Sequence, residues 1–196
     1  MVNLRNTSAT VKAHRVIWIT GLSGAGKSTL AAELVQRLRV TGEAVVMLDG
    51  DELREVFGAV AANAKNHGRD GRLALAFQYA HLCRILANQR LTVVIATISL
   101  FHEIHAWNRA NLPNYFEVYL KVPIEELRLR DPKDIYRRFD AGELSDVAGL
   151  DLLIDEPQTP DVRIEWVAGL TVQAALAQLI GQLDLQILEG VVNETR

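Results

Sequence analysis

Cysteine is nearly absent from this chain: Cys83 stands alone. That count excludes a disulfide framework and a zinc ribbon, each of which needs several thiols. No apolar run approaches the roughly 18 residues of a membrane span. The longest, Leu91 to Leu100, is broken by Thr92, Thr97 and Ser99 and reads as a buried strand. Positive charge is not in excess either, since 21 Lys and Arg face 24 Asp and Glu for a formal charge of −3. A slightly acidic balance supplies no general attraction for a nucleic-acid polymer or a membrane surface, so any anionic ligand is held by a local site. There is no repeat, no low-complexity block and no signal peptide, and the expected setting is a reducing cytoplasm. The 196 residues, 49% hydrophobic and 23% charged, have the make-up of one soluble globular domain.

Residues 1–13 are polar and aperiodic and read as a flexible tail ahead of a single domain over 14–196. Within that domain, strand-like runs alternate with helical patterns. The runs are Val16 to Ile19, Ala44 to Leu48, Leu91 to Ile98, Tyr115 to Val122 and a weaker Val162 to Trp166. Most are β-branched or aromatic and nearly continuous, as suits strands covered on both faces. Between them Leu30, Leu34 and Leu38, then Leu73, Phe77, Ala80 and Ile85, recur at helical spacing. This alternation predicts an α/β fold with a five-stranded parallel sheet between helical layers. Residues 131–160 hold three of the five prolines and many charges without a period, and read as a surface excursion. The last apolar stripe, Val172, Leu176, Leu179, Ile180 and Leu183, fits a closing helix or a homodimer contact.

Gly21-Leu22-Ser23-Gly24-Ala25-Gly26-Lys27-Ser28 fits the pattern G-x-x-x-x-G-K-[ST] between the first strand and a helix opening at Thr29. A bound triphosphate needs these residue types in this order. The glycines let successive N–H groups of Ser23, Gly24, Ala25 and Gly26 converge on phosphate oxygens, and the helix start adds partial positive charge. Lys27 then reaches the β and γ phosphates, and the Ser28 hydroxyl can ligate Mg²⁺. At the end of the second strand stand Asp49, Gly50 and Asp51, with Arg54 one turn on. The carboxyl ends of strands are where open α/β sheets bind ligands. One carboxylate there can serve the metal's water shell while the other accepts an attacking hydroxyl's proton, and the order is open between Asp49 and Asp51. Arg54 suits an acceptor phosphate.

Taken together, the phosphate loop, Leu48-Asp49-Gly50-Asp51-x-x-Arg54, Ile98-Ser99, Phe116-Glu117-Val118-Tyr119 and Arg130-Asp131-Pro132-Lys133-x-x-Tyr136 resemble the adenylyl-sulfate kinase family from about Val16 to Ile164. The resemblance implies a P-loop kinase fold, a three-layer sandwich with a mobile lid over about 131–160. It also implies transfer of the γ-phosphoryl group of Mg-ATP to the ribose 3′-hydroxyl of a small nucleotide-type acceptor. By it, Asp51 orients or deprotonates the acceptor hydroxyl, Arg54 and Arg72 hold the acceptor's phosphate end, Ser99 lies beside it, and Arg130 lies against the ATP base. Lys133 begins the lid, which runs through Asp151.

The chain departs from the family pattern on the acceptor side. Where the family reads Asp-Arg-x-Glu-Asn-x-Arg-Arg, this sequence has Gly71-Arg72-Leu73-Ala74-Leu75-Ala76-Phe77-Gln78. The lid's Phe-Thr-Gly-Ile-Asp becomes Val147-Ala148-Gly149-Leu150-Asp151. Thr97-Ile98-Ser99-Leu100-Phe101-His102-Glu103 replaces an Ile-Ser-Pro-Tyr pattern and resembles the branch that includes kinases of cytidine-linked phosphoramidate, placing Phe101 and His102 in the acceptor pocket. His102 and His105 lack zinc spacing, and Cys83 sits among Leu82, Ile85 and Leu86 as a core thiol. Two further classes remain: a nucleotide-dependent switch, against which the missing Asn-Lys-x-Asp motif counts, and a degenerate kinase kept for binding, against which Lys27, Ser28 and Asp51 count.

Overall fold

A computed structural model describes residues 14–61 and 68–194, so the expected flexible tail at 1–13 lies outside the described residues. The elements run β1 (Val16–Gly21), α1 (Lys27–Val40), β2 (Val45–Asp49), α2 (Gly50–Ala61), α3 (Arg69–Asn88), β3 (Thr92–Thr97), α4 (His102–Asn111), β4 (Phe116–Lys121), α5 (Ile124–Arg130), α6 (Ile135–Asp140), β5 (Val162–Glu165) and α7 (Val172–Glu194). Five strands form one parallel sheet in the order β2-β3-β1-β4-β5. All six residues of β1 and of β3 are buried, and the edge strand β5 alternates buried with exposed. The expected strand runs match to within one or two residues at each end, because strands covered on both faces carry near-continuous apolar runs.

Alternation along β1 sorts its side chains into two cores. Ile17 and Ile19 face α1 and α7, packing with Leu30, Leu34 and Leu179. Val16 and Trp18 face α3 and α4, packing with Tyr79, Cys83 and Ile104. The result is the three-layer sandwich expected. Burial pushes the Cys83 thiol upward, in keeping with an inert core residue.

The inward stripe of α3 differs from the one read in sequence. Its buried positions are Ala76, Tyr79, Ala80, Cys83 and Ala87, while Ile85 is 56% exposed. Small residues let α3 approach the sheet closely, so the apolar stripe built on large side chains is rotated from the true one. Residues 131–160 are not wholly irregular, since they carry α6 and an isolated bridge between Ala148 and Leu152. No described helix is long and apolar enough to cross a membrane.

Leu179 and Leu183 are buried in the core that α7 shares with α1 and β5, and Leu176 and Ile180 pack half-buried against it, which favours the closing-helix reading. Leu179→Ala should lower unfolding free energy by about 2–5 kcal/mol and leave the oligomeric state unchanged. Denaturant titration with light scattering checks both, and a variant that dissociates without losing stability would assign the stripe to a subunit contact.

Candidate active site

The carboxyl ends of β1, β2 and β3 stand side by side, with Thr20 level with Thr97 and Asp49 level with Ala96. The phosphate loop leaves β1 there. Gly24 and Gly26 adopt φ of +79° and +92°, conformations open to glycine, and Gly26 passes directly into α1. The Lys27 ammonium donates to Leu22 O at 2.8 Å. Burial pushes it from an ordinary 10.5 down to about 8, against the pull of Asp51; Lys133 lowers it further.

Ser28 Oγ donates to Asp49 Oδ2 at 2.5 Å, and Asp49 Oδ1 accepts the Asp51 N–H at 2.8 Å. Asp49 therefore ties the phosphate loop to the start of α2. Gly50 sits close against β3, where an added Cβ would come 3.0 Å from Thr97 Oγ1, and its carbonyl accepts from Tyr79 Oη at 3.2 Å. Across the cavity Lys133 pairs with Asp51. Burial raises the Asp51 carboxyl, but hydrogen bonding to and charge from Lys133, aided by Arg54 and Lys27, hold it below the ordinary range.

These groups line one cavity of about 370 Å³. Ser23, Gly24, Gly26, Lys27, Ser28 and Thr29 form its floor, Asp49, Asp51 and Arg54 one wall, and Arg72, Arg130 and Lys133 bring further positive charge. Tyr136 Oη donates to Ser23 O at 2.9 Å, fastening α6 to the phosphate loop. Arg72 donates to Asp146 O at 2.6 Å, joining α3 to the segment over the cavity. Arg54 and Arg72 also border a second, small and mostly apolar cavity of about 30 Å³ with Leu75, Tyr79, Ser99, Phe101 and Ile154. Ser99 is buried there at φ 25°, its hydroxyl 2.9 Å from that of Thr97.

Several candidates stand apart from the main cavity. Gly21 is packed beneath Leu120 O, and Ala25 faces a third cavity of about 100 Å³ beside α7. Ser99 and Phe101 line the second cavity, and His102 and Asp151 line none of the three. Asp151 accepts the backbone N–H groups of Asp146 and Val147 at 2.8 and 2.6 Å, so its carboxylate holds a turn. Of residues 71–78, Arg72 and Leu75 line the cavities described; Ala74 and Gln78 are exposed and Phe77 packs edge-on to Trp107. The sequence reading missed Trp166, whose ring lies 5.7 Å from the Arg130 guanidinium at the third cavity, and Tyr79. Trp166 directly follows β5, and an aromatic after a strand was the available signal.

A profile of the family described as adenylylsulphate kinase matches residues 13–165. The cytidine diphosphoramidate kinase of Campylobacter jejuni is 38% identical over 143 residues, 73% of this chain and 81% of that protein. The adenylyl-sulfate kinase of Deinococcus deserti is 36% identical over 173 residues, covering 88% and 93%. Among solved structures, the Mycobacterium tuberculosis APS kinase CysC, in complex with AMPPNP and APS, superposes with a TM-score of 0.79 at 28% identity, covering 88% of this chain and 98% of that one.

Lys27 generates a pH signature. Its folded pKa lies below its unfolded one, so between about 8 and 10.5 the unfolded chain binds more protons at this group and Lys27's own contribution to the stability of the free protein rises with pH, while the raised Cys83 thiol contributes with the opposite sign. A triphosphate against the ammonium restores its proton affinity. Titration calorimetry at about pH 8.5, in buffers of different ionisation enthalpy, should register uptake of a large fraction of one proton per ATP. Lys27→Arg, which does not titrate there, should bind without uptake; equal uptake in both proteins would remove Lys27 as the source.

Proposed function

The chain belongs to the adenylylsulphate kinase family and is an ATP-dependent kinase of a small nucleotide conjugate, and from that premise we propose that Lys27, Asp49 and Asp51 carry its transfer step. The observation behind this reading is one cavity in which the phosphate loop, two carboxylates and the cations Arg54, Arg72 and Lys133 meet. Backbone N–H groups of residues 23–28 and Lys27 hold the β and γ phosphates, and Arg130 with Trp166 flanks the base of ATP at the third cavity. Residues 131–160 act as the lid, since they supply Lys133, Val147 and Ala148 to the cavity. The acceptor's phosphate end lies on Arg54 and Arg72, with the second cavity beyond them.

The donor set beside the loop suits Mg²⁺. A hydroxyl and a carboxylate, Ser28 and Asp49, are hard oxygen donors in contact, and no group of three or more metal-ligating side chains stands among the described residues. That pattern fits an ion that keeps waters and phosphates as most of its ligands. When bound there it would neutralise charge on the phosphates. Asp51 then takes the hydroxyl. Its proton affinity is lowered, so it orients the nucleophile more than it pulls the proton away, as a loose transition state requires. For the hydroxyl to approach, Lys133 must leave Asp51 for the transferring phosphoryl group, where its charge is of use. Asp51→Asn should lower kcat by about 10²–10⁴-fold with little change in ATP affinity. A collapse of ATP affinity with kcat retained would make Asp51 a metal-shell residue and Asp49 the orienting group.

For the acceptor, our reading is a cytidine-linked conjugate in place of adenylyl sulfate, and one feature of the walls supports it by weakening contacts to adenine. Leu75 lines the second cavity where the family pattern has Asn, and Val147 and Ala148 replace its Phe-Thr. A leucine offers no hydrogen bond to a base, and a lost aromatic face removes roughly 1–3 kcal/mol of stacking. Under one Mg-ATP concentration, kcat/KM should be higher for cytidine diphosphoramidate than for adenylyl sulfate. A value near about 10⁶ M⁻¹s⁻¹ for adenylyl sulfate, typical of an enzyme on its own substrate, would reverse the assignment.

A further inference from the structure

Behind the second cavity lies an ion network that the transfer step does not use. Arg69, the first residue of α3, places one guanidinium nitrogen 2.9 Å from each carboxylate oxygen of Glu103 and 3.2 Å from Asp155 Oδ2. Asp155 Oδ2 also accepts the His102 backbone N–H at 3.2 Å, and the Asp155 N–H donates to Leu100 O at 3.0 Å. The His102 ring stands 3.7 Å from the other Asp155 oxygen. The Arg69 guanidinium also lies 5.3 Å over the Phe101 ring. One cation thus joins the start of α3, the start of α4 and the far end of the 131–160 segment.

Arg69, Glu103 and Asp155 do not line the cavity; their neighbours Leu100, Phe101 and Ile154 do. We infer that Arg69 is a positioning residue for the acceptor: by tying Asp155 to Glu103 it fixes the Phe101 and Ile154 walls and thereby sets acceptor affinity. This rests on the second cavity being the acceptor's end. The three side chains are 39%, 46% and 28% exposed, and any one such pair contributes little. Their effect is collective. Removing Arg69 leaves two carboxylates sharing a site, and their repulsion acts on both walls at once. Phe101, His102 and Glu103 fall in the stretch where this chain leaves the Ile-Ser-Pro-Tyr pattern, so the network belongs to its divergent acceptor side.

The test compares Arg69→Met, Arg69→Lys and the double variant Arg69→Met/Glu103→Gln with the parent protein. Arg69→Met should raise KM for the better of adenylyl sulfate and cytidine diphosphoramidate by about threefold to thirtyfold, with kcat and the KM for ATP within about twofold. Arg69→Lys should recover part of the loss, and so should the double variant, which relieves the repulsion. Hydrogen exchange should quicken at residues 152–156 in Arg69→Met and stay unchanged at 21–28. Equal rises in both KM values, or unaltered acceptor KM and unaltered exchange at 152–156, would overturn the inference. If the parent phosphorylates neither acceptor, the functional reading fails, and the exchange at 152–156 still decides whether Arg69 holds the walls.

Discussion

Parallel register across β2, β3 and β1 is the constraint on which the site depends. It puts Asp49 level with Ala96 and Thr20 level with Thr97, so three chain segments emerge from the sheet at one height. The Thr20 hydroxyl donates to Ile98 O, tying the turn out of β3 to β1. Gly50 leaves room for α2 to begin against Thr97. A slip of one residue in β2 would turn Asp49 to the opposite face of the sheet and break its contact with Ser28. Val45 and Met47 pack on one core and Val46 and Leu48 on the other, so such a slip would also exchange their partners, and the apolar packing therefore guards the polar geometry.

Charge is the second organising factor. A chain of net charge −3 gathers Lys27, Arg54, Arg72, Arg130 and Lys133 around one cavity. Four of these groups have partners inside the protein: Leu22 O for Lys27, Asp51 for Lys133, Asp146 O for Arg72, Glu126 for Arg130. A phosphate reaching these cations would replace carbonyls and carboxylates as acceptors. This limits the net gain per contact and makes differences between acceptors depend on what the walls add.

The parts legible in sequence were those whose cause is local. Doubly covered strands carry continuous apolar runs, and the phosphate loop carries its glycines, Lys27 and Ser28 at fixed spacing. Asp49 is legible because it ends a strand, and Asp51 because it opens the helix directly after it. What sequence concealed depends on partners far along the chain. Arg69 meets Asp155 across 86 residues, and Tyr136 meets Ser23 across 113. The inward face of α3 was misjudged because alanines and a tyrosine pack it, whereas Ile85, the larger aliphatic, points out. His102 and Asp151 are expected beside the substrate, yet they line none of the three cavities: Asp151 holds a turn and His102 joins the Asp155 network. Sequence order put both near the site without showing which way they face.

The 131–160 segment is fastened at both roots by different chemistry. At its start Asp131 accepts the backbone N–H groups of Tyr136 and Arg137, and Tyr136 is buried with its hydroxyl on Ser23 O. At its end Asp155 meets Arg69, Glu156 meets Lys121 and Arg163, and Asp161 meets Arg109 and the Glu117 N–H. The near root is therefore tied to the phosphate loop, and the far root is tied by ion pairs to α3, β4, β5 and α4. Between them, residues 141–154 reach over the cavities with Val147, Ala148 and Ile154 as their contacts. Substitutions in that middle stretch can change what fits beneath it without disturbing either anchor. What fits beneath that stretch can therefore diverge while the phosphate loop, Asp49 and Asp51 keep their geometry.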